Sequence, residues 1–492
     1  MASAVKYLAF DLGAESGRAM GASFDGARLA LEELHRFPTG PVCAADSQYW
    51  DVLRFWCEMQ TGLGKAAALY GEDLASLGVD TWGVDFGLLG ADDSLLGNPY
   101  HYRDSRTNGM VEEACRIVPR SEIYAQTGTQ FLQLNTLYQL FAMVRAGAPA
   151  LSVAKTLLTM PDLFNFWLCG VKTNEFTNAT TTQCYDTRRE AWATGLLERL
   201  GIPARLFQDV TCPCSVLGHL RPSVAEEPRS RMLPVVGVGS HDTASAVGAV
   251  PAEGGDFIYI SSGTWSLMGV ENREALVNDQ TLAYDFTNEG GVNRTFRFLK
   301  NIMGMLLLQE CRREWARAGQ SFSYDDLTAL ARKAAPLRSL LAPSDPRFFP
   351  TGPMVGRIQS FCRETGQPVP QTQGEIARCI LESLALEYRW TAERLEELNG
   401  RSLPVIHIIG GGSRNRLLNQ FAADATGCRV VAGPVEATAT GNVLAQMIAL
   451  GHIASLEEGR ALVRESFDVS VFEPAARAPW DEAYGRYLAL RP

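Results

Sequence analysis

The sequence predicts an α/β protein built from two related halves, on three observations. Segments that read as strands alternate with segments that read as helices along most of the 492 residues, a pattern that favours α/β domains. A strand–turn–strand unit with a small, polar, glycine-containing turn occurs twice. It appears first as Tyr7–Phe10 running through Asp11-Leu12-Gly13-Ala14-Glu15-Ser16-Gly17-Arg18 into Ala19–Ala22. It appears again as Ile258–Ile260 running through Ser261-Ser262-Gly263-Thr264-Trp265-Ser266 into Leu267–Val270. Finally, Gly410-Gly411-Gly412 follows an apolar run and precedes a helical pattern. Two such hairpins, one per half, predict a duplicated architecture that grips an anionic ligand between its halves.

In chain order, Leu74–Phe86 reads as a strand, a polar turn and a second strand. Leu137–Val144 and Gly195–Leu200 read as helices. Pro251-Ala252-Glu253-Gly254-Gly255 is the best domain boundary, because Pro and Gly punctuate elements. It divides the chain into 1–250 and 251–492, and the second hairpin begins near Phe257. Gly374–Asn399 carries Ile376, Cys379, Ile380, Leu384 and Tyr388 near helical spacing, which predicts a long amphipathic helix. Asn399-Gly400 ends it as a C-terminal glycine should. Leu403–Ile409 is then a buried strand delivering the glycine triplet, and the next helix begins near Asn415.

Composition narrows the function. The formal net charge is −10 and no Lys/Arg run exceeds a pair such as Arg188-Arg189. Nucleic acid and anionic membrane surfaces both require a concentrated basic face, so neither is expected as a partner. No apolar run approaches the roughly 18 residues of a membrane span. Lys6 and Asp11 break the N-terminal apolar stretch, so no secretory signal is expected and the predicted location is cytoplasmic. Eleven cysteines, an odd number without a compact framework, read as free thiols in a reducing compartment. Cys212-Pro213-Cys214 with His219 lacks the second ligand pair that structural zinc requires.

Several motifs could carry chemistry. Gly13 and Gly17 let backbone N–H groups approach a ligand, Ser16 adds a hydroxyl, and Asp11 at a strand end is placed to hold a hydrated Mg²⁺. An ordinary hairpin turn would use the same residue types. Ser262-Gly263-Thr264 repeats the donors, and the glycine triplet offers bare backbone to a base or a phosphate. There is neither a G-x-x-x-x-G-K-[ST] loop nor a strand followed by G-x-G-x-x-G, so a nucleotide would bind in neither manner. Val236–Gly239 delivers Ser240-His241-Asp242-Thr243, where Asp242 could accept a proton from a substrate hydroxyl and also cap the following helix. A metal-dependent His-Asp hydrolase would need more ligands than six histidines readily supply. Thr81-Trp82-Gly83 with Asp85, and Tyr102-Arg103-Asp104-Ser105-Arg106-Thr107, are two clusters able to read a polyol, the second also consistent with a solvated turn.

Taken together, these residues resemble the FGGY carbohydrate kinases of the sugar kinase/Hsp70/actin superfamily, from about Tyr7 to about Ala449. The resemblance rests on Asp80–Phe86, Tyr102–Gly109, Asn135–Leu140, Thr177–Gln183, Ser240–Ala246, Ser261–Gly269, Lys300–Gly304 and Gly433–Thr438. It implies two actin-like (ribonuclease H-like) domains with a cleft between them. It also implies Mg²⁺- and ATP-dependent phosphorylation of L-rhamnulose at O1, in a monomer or homodimer. Carried over by motif, Asp242 is the general base, and Gly83, His241, Asp242, Thr243 and Asn301 contact sugar. Ala14, Glu15, Ser16, Gly17 and Arg18 line the triphosphate, Thr264, Gln309 and Gly411 contact nucleotide, and Asp11 holds the metal through water. Glu15 departs from the small or hydroxyl residue common in that turn, which leaves its side-chain role open. Other readings are a kinase for L-fuculose, L-xylulose or glycerol, a silent sugar or nucleotide sensor, and an actin-like ATPase. The last two should lack a base at 242 or carry extra interaction segments.

Overall fold

Tyr7, Leu8, Ala9 and Phe10 are fully buried, so the strand Val5–Leu12 is covered on both faces, as a strand in the middle of an α/β sheet must be. It pairs antiparallel with Ser16–Phe24 on one side and parallel with Leu74–Thr81 on the other. Pro234–Gly237 extends the parallel part, Ser215–His219 adds an antiparallel edge, and Leu29–Pro38 closes the opposite edge. The result is a six-stranded mixed sheet. The computed structural model describes residues 4–226, 230–350 and 352–491.

A second sheet repeats the same plan. Phe257–Ser262 pairs antiparallel with Trp265–Asn272 and parallel with Val405–Ile409; Arg429–Ala432 follows in parallel and Ser470–Phe472 is an antiparallel edge. The sequence of pairings outward from the hairpin — antiparallel, parallel, parallel, antiparallel — is identical in the two sheets. The twofold repeat read from the hairpins is therefore a repeat of sheet topology. In both sheets the parallel strands end at a polar segment, the edge where ligands bind in open α/β sheets.

The chain divides into two compact units. The first comprises Met1–Ala249, Glu271–Phe298 and Ala437–Ser466; the second comprises Val250–Val270, Leu299–Glu436 and Phe467–Pro492. The break at Ala249 falls one residue before the expected limit of 1–250, and two later segments pack with the first unit rather than with 251–492. The reason is visible in the helix Ala437–Ala449, whose Gln446 donates to Leu8 O at 3.0 Å and accepts from Ser76 Oγ at 2.7 Å. A linear reading of the sequence has no signal for such a return.

Helix boundaries follow local chemistry. The helix Gln373–Asn399 opens on a reciprocal capping box between Thr372 and Glu375 and closes at Gly400, whose φ of +62° favours glycine. Thr136–Arg145 and Thr194–Arg199 form where helices are expected. They belong to a mainly helical cluster whose core includes Leu137, Phe141, Leu157 and Leu197, inserted in the chain between the strands Leu74–Thr81 and Pro234–Gly237 together with the short antiparallel pair Phe86–Leu89 and Thr156–Thr159. Among the described residues no helix is long and apolar enough to cross a membrane.

Candidate active site

In the first unit the parallel registers bring carboxylates together. Asp11 stands opposite Asp80 on the neighbouring strand, and Thr81 is bridged to His241, with Thr81 N donating to Ser240 O at 2.9 Å. Strand ends thus carry Asp11, Asp80 and the His241-Asp242 pair to one edge of the sheet. Asp11 also stands opposite Arg18 across the hairpin and is ion-paired with it. Asp80 is fully buried, and Asn442 donates to its Oδ2 at 2.6 Å while Oδ1 has no hydrogen-bond partner among the described residues. Burial, and then the charge of Asp11, push the Asp80 carboxyl well above the usual carboxylate range, with Asp242 adding to the effect.

Asp242 is the first residue of the helix Asp242–Gly248, and the cap position falls on His241 rather than on Asp242. Its Oδ1 accepts from Thr243 N at 2.6 Å and Thr243 Oγ1 at 3.2 Å. This holds one carboxylate oxygen, and among the described residues no hydrogen bond reaches the other. The preceding segment is fixed by Glu175, whose Oε2 accepts from Ser240 Oγ at 2.6 Å, Ser240 N at 3.2 Å and Thr177 N at 2.9 Å. His241 N in turn donates to Thr177 Oγ1 at 3.1 Å. The Thr177–Gln183 stretch is therefore the brace of the His241-Asp242 segment. It also meets Gly83, where a Cβ would lie 3.0 Å from Thr181 Oγ1. Next to Gly83, Val84 has a φ of +70°, a strained conformation for a β-branched residue, with Thr136 Oγ1 donating to its carbonyl at 2.5 Å.

The polyol-reading clusters need correction. Asp85 is fully buried and its oxygens accept from Trp50 Nε1 at 2.6 Å, Trp82 Nε1 at 2.9 Å and Gln139 Nε2 at 2.7 Å. It orients the stacked Trp50–Trp82 pair, whose ring centroids are 3.9 Å apart. Desolvation raises its carboxyl to about 7, against the three hydrogen bonds that lower it. Asp104 accepts from Gln48 N and Arg106 N, and Arg106 donates to Gln139 O and Oε1 at 2.8 and 2.7 Å. These charged groups build the wall behind Trp82; burial has turned would-be sugar contacts into scaffold.

The phosphate-like turn is tighter than glycine content alone suggests. Gly13 N donates to Ser16 O at 3.0 Å, so it closes the turn. Gly17 lies within the strand pair, where a Cβ would be 2.5 Å from the Phe37 ring, so packing demands glycine there. Ala14, Glu15 and Ser16 form the tip, with Glu15 exposed and Arg36 within 3.5 Å of Ser16 Oγ.

In the second unit, the hairpin turn Gly263-Thr264 seats on the start of the helix Leu306–Arg317, with Leu306 N donating to Thr264 O at 3.1 Å. Gln309 lies one turn into that helix and its buried Oε1 has no hydrogen-bond partner among the described residues. The strand Val405–Ile409 runs in register with Phe257–Ser262, which sets the glycine triplet beside Ser262. A Cβ on Gly412 would lie 2.0 Å from Ser262 Oγ, whereas one on Gly411 would meet nothing within 4 Å. Gly412 is the packing glycine and Gly411 presents open backbone. Asn301, on the strand Phe296–Met303, also belongs to this unit, whereas Gly83, His241, Asp242 and Thr243 belong to the first.

Asp80, Glu175, Glu289, Arg297 and Asn442 escape the sequence reading. Arg297 alone left a signal: a charged residue flanked by Phe296 and Phe298 at the start of a strand. Among the described residues no three His, Cys, Asp or Glu side chains converge as a metal site, and the cysteines carry free thiols.

Comparison with known proteins gives the family. The N-terminal domain profile of the FGGY family of carbohydrate kinases matches residues 6–248, and the C-terminal domain profile matches residues 258–450. A rhamnulokinase of Bacteroides thetaiotaomicron is 44% identical over 478 residues, covering 97% of this chain and 98% of that protein. A rhamnulokinase of Oceanobacillus iheyensis is 41% identical over 465 residues, covering 94% and 97%. Among solved structures, the xylulose kinase of Lactobacillus acidophilus superposes with a TM-score of 0.82 at 16% identity, covering 99% and 97%. The glycerol kinase of Plasmodium falciparum superposes with a TM-score of 0.79 at 14% identity, covering 99% and 98%; likenesses this remote speak for the fold.

Proposed function

The chain belongs to the FGGY family of carbohydrate kinases, ATP-dependent phosphotransferases with an alcohol group as acceptor, and from that premise we infer that it phosphorylates L-rhamnulose at O1. The observation that carries the substrate is the 44% identity to a rhamnulokinase across 97% of the chain. The products are L-rhamnulose 1-phosphate and ADP, in L-rhamnose breakdown.

Asp242 is the general base. One of its oxygens is held by Thr243, which supports the other as the proton acceptor for the attacking hydroxyl. Gly83, His241, Thr243 and Asn301 are the sugar contacts. Ala14, Glu15, Ser16, Gly17 and Arg18 serve the triphosphate, Glu15 through its backbone because its side chain is exposed. Thr264, Gln309 and Gly411 serve the nucleotide; the orphaned buried Gln309 Oε1 and the open backbone at Gly411 fit an absent polar ligand. Asp11 would hold Mg²⁺ through water. When bound, that ion neutralises charge on the transferring phosphoryl group. Arg18 supplies fixed positive charge beside it. The protein acts in the cytoplasm as a monomer or homodimer.

The test is Mg-ATP-dependent ADP release with L-rhamnulose, L-fuculose, L-xylulose, D-xylulose and glycerol. A preference for any sugar except L-rhamnulose overturns the substrate, and no stimulation by any of them favours a sensor. Asp242→Asn should retain nucleotide binding and lose roughly 10²–10⁴ in turnover.

A further inference from the structure

Behind Asp242 lies a buried triad that the reaction has not yet used. Arg297 is fully buried. Its Nε donates to Gly290 O at 2.8 Å, and its Nη2 lies 3.3 Å from Glu289 Oε2 and 3.0 Å from His241 Nδ1. A guanidinium carries donors and no acceptor, so a hydrogen bond between Nη2 and Nδ1 is possible only if Nδ1 offers its lone pair. The ring proton must then sit on Nε2, the nitrogen that lies 3.4 Å from Asp242 Oδ1.

Glu289 pulls the other way. Its Oε2 is 3.4 Å from Nδ1 and could accept from that nitrogen only if Nδ1 carried the proton. The two neighbours demand opposite tautomers, and the closer, directed contact belongs to Arg297. Asp242, Glu289 and Arg297 are the charged groups that face this ring; Thr177 holds its backbone.

We propose that Arg297 is a positioning residue that locks His241 as the Nε2–H tautomer, so that the acceptor hydroxyl of the sugar meets one donor and one base. With Nε2–H in place, a hydroxyl oxygen accepts from His241 while its own proton points to the Asp242 carboxylate. In the opposite tautomer Nε2 would be a second lone pair competing with Asp242 for that proton, and the oxygen's lone pairs would be left unaligned. This deepens the assignment of Asp242 as base and rests on it.

The experiment reads the tautomer directly. Protein labelled with ¹⁵N at its six histidines, with His241→Gln to assign the resonance, is examined by long-range ¹H–¹⁵N spectroscopy at pH 8. Wild-type His241 should show a protonated Nε2 and a bare Nδ1. Arg297→Met should move the proton to Nδ1, where Glu289 is then the remaining partner, and lower kcat/KM for sugar by roughly 10²-fold, the cost of a misdirected positioning group. Adding Glu289→Gln to Arg297→Met supplies an amide N–H to Nδ1 and should restore both the Nε2–H signature and at least a tenth of the lost activity. A protonated Nδ1 in the wild type overturns the proposal without any variant. So does an Arg297→Met protein that keeps the wild-type tautomer, or a double variant that recovers neither. Should Asp242→Asn keep full turnover while the wild-type signature is as stated, the base is misassigned and the tautomer lock stands.

Discussion

Gly441→Ala should impair catalysis by pushing one helix off another. A Cβ at position 441, in the helix Ala437–Ala449, would lie 1.7 Å from Ser245 O and 2.5 Å from Ser245 C, in the helix Asp242–Gly248. Ordinary carbon contacts begin near 3.4 Å, so the carbonyl must withdraw by more than about 1 Å. Both clashing groups are backbone or Cβ, so no rotamer change can relieve the overlap. Overpacking of this kind costs about 1–3 kcal/mol. For a unit of this size that lowers the melting temperature by about 2–10 °C. The helix cannot move alone, because Ser245 Oγ donates to Gly239 O at 2.6 Å and so ties it to the turn that delivers Asp242. A displacement near 1 Å at a catalytic group costs roughly 10² in rate. The assay is ADP release with L-rhamnulose, together with the thermal unfolding curve. A Gly441→Ala protein with wild-type turnover and melting would refute the reasoning that this close approach fixes the base.

Other expectations follow from single sites. Gly412→Ala would place its Cβ 2.0 Å from Ser262 Oγ and 2.9 Å from Ser262 O, so calorimetric ADP affinity should fall at least about tenfold. Unchanged affinity would remove the glycine triplet from the nucleotide site. Gly356→Ala, within the helix Met354–Glu364 and with nothing within 4 Å of its Cβ, should raise the unfolding free energy by about 0.5–1 kcal/mol. A drop in melting temperature would count against open space there. Asp162 is raised by burial from 3.8 to about 7. In that window the folded state holds a proton the unfolded state has released, so this residue's contribution is full below about pH 4, is lost as pH rises, and levels off above about 7. Melting temperature should therefore fall less steeply from pH 5 to 7 in Asp162→Asn than in the wild type; equal slopes would contradict the shift.

How much of this was legible in the residue order depends on range. The hairpins, the capping of Gln373–Asn399 and the strand leading to the glycine triplet are local, set by backbone chemistry within a few residues. Asp11, Asp242 and Gly411 could be singled out because each lies at or just beyond the carboxyl end of an apolar strand, and a polar or glycine residue there is a readable signal. Asp80 looked the same in the sequence and was passed over within a longer motif. Its isolation appears only once Asn442, from a distant segment, is seen to be its partner.

The sequence alone determined the class of fold, the duplicated sheet and the family chemistry, since these rest on local pattern and on motifs that survive translation into residue order. Tertiary structure decided which polar residues are tools and which are scaffold. Asp85 and Arg106, candidates by composition, are engaged by buried partners, whereas Arg297, between two phenylalanines, touches the histidine beside Asp242. The physical reason is that a carboxylate or guanidinium acquires its role from the dielectric and the hydrogen-bond partners around it, and those arrive from segments far away in the chain.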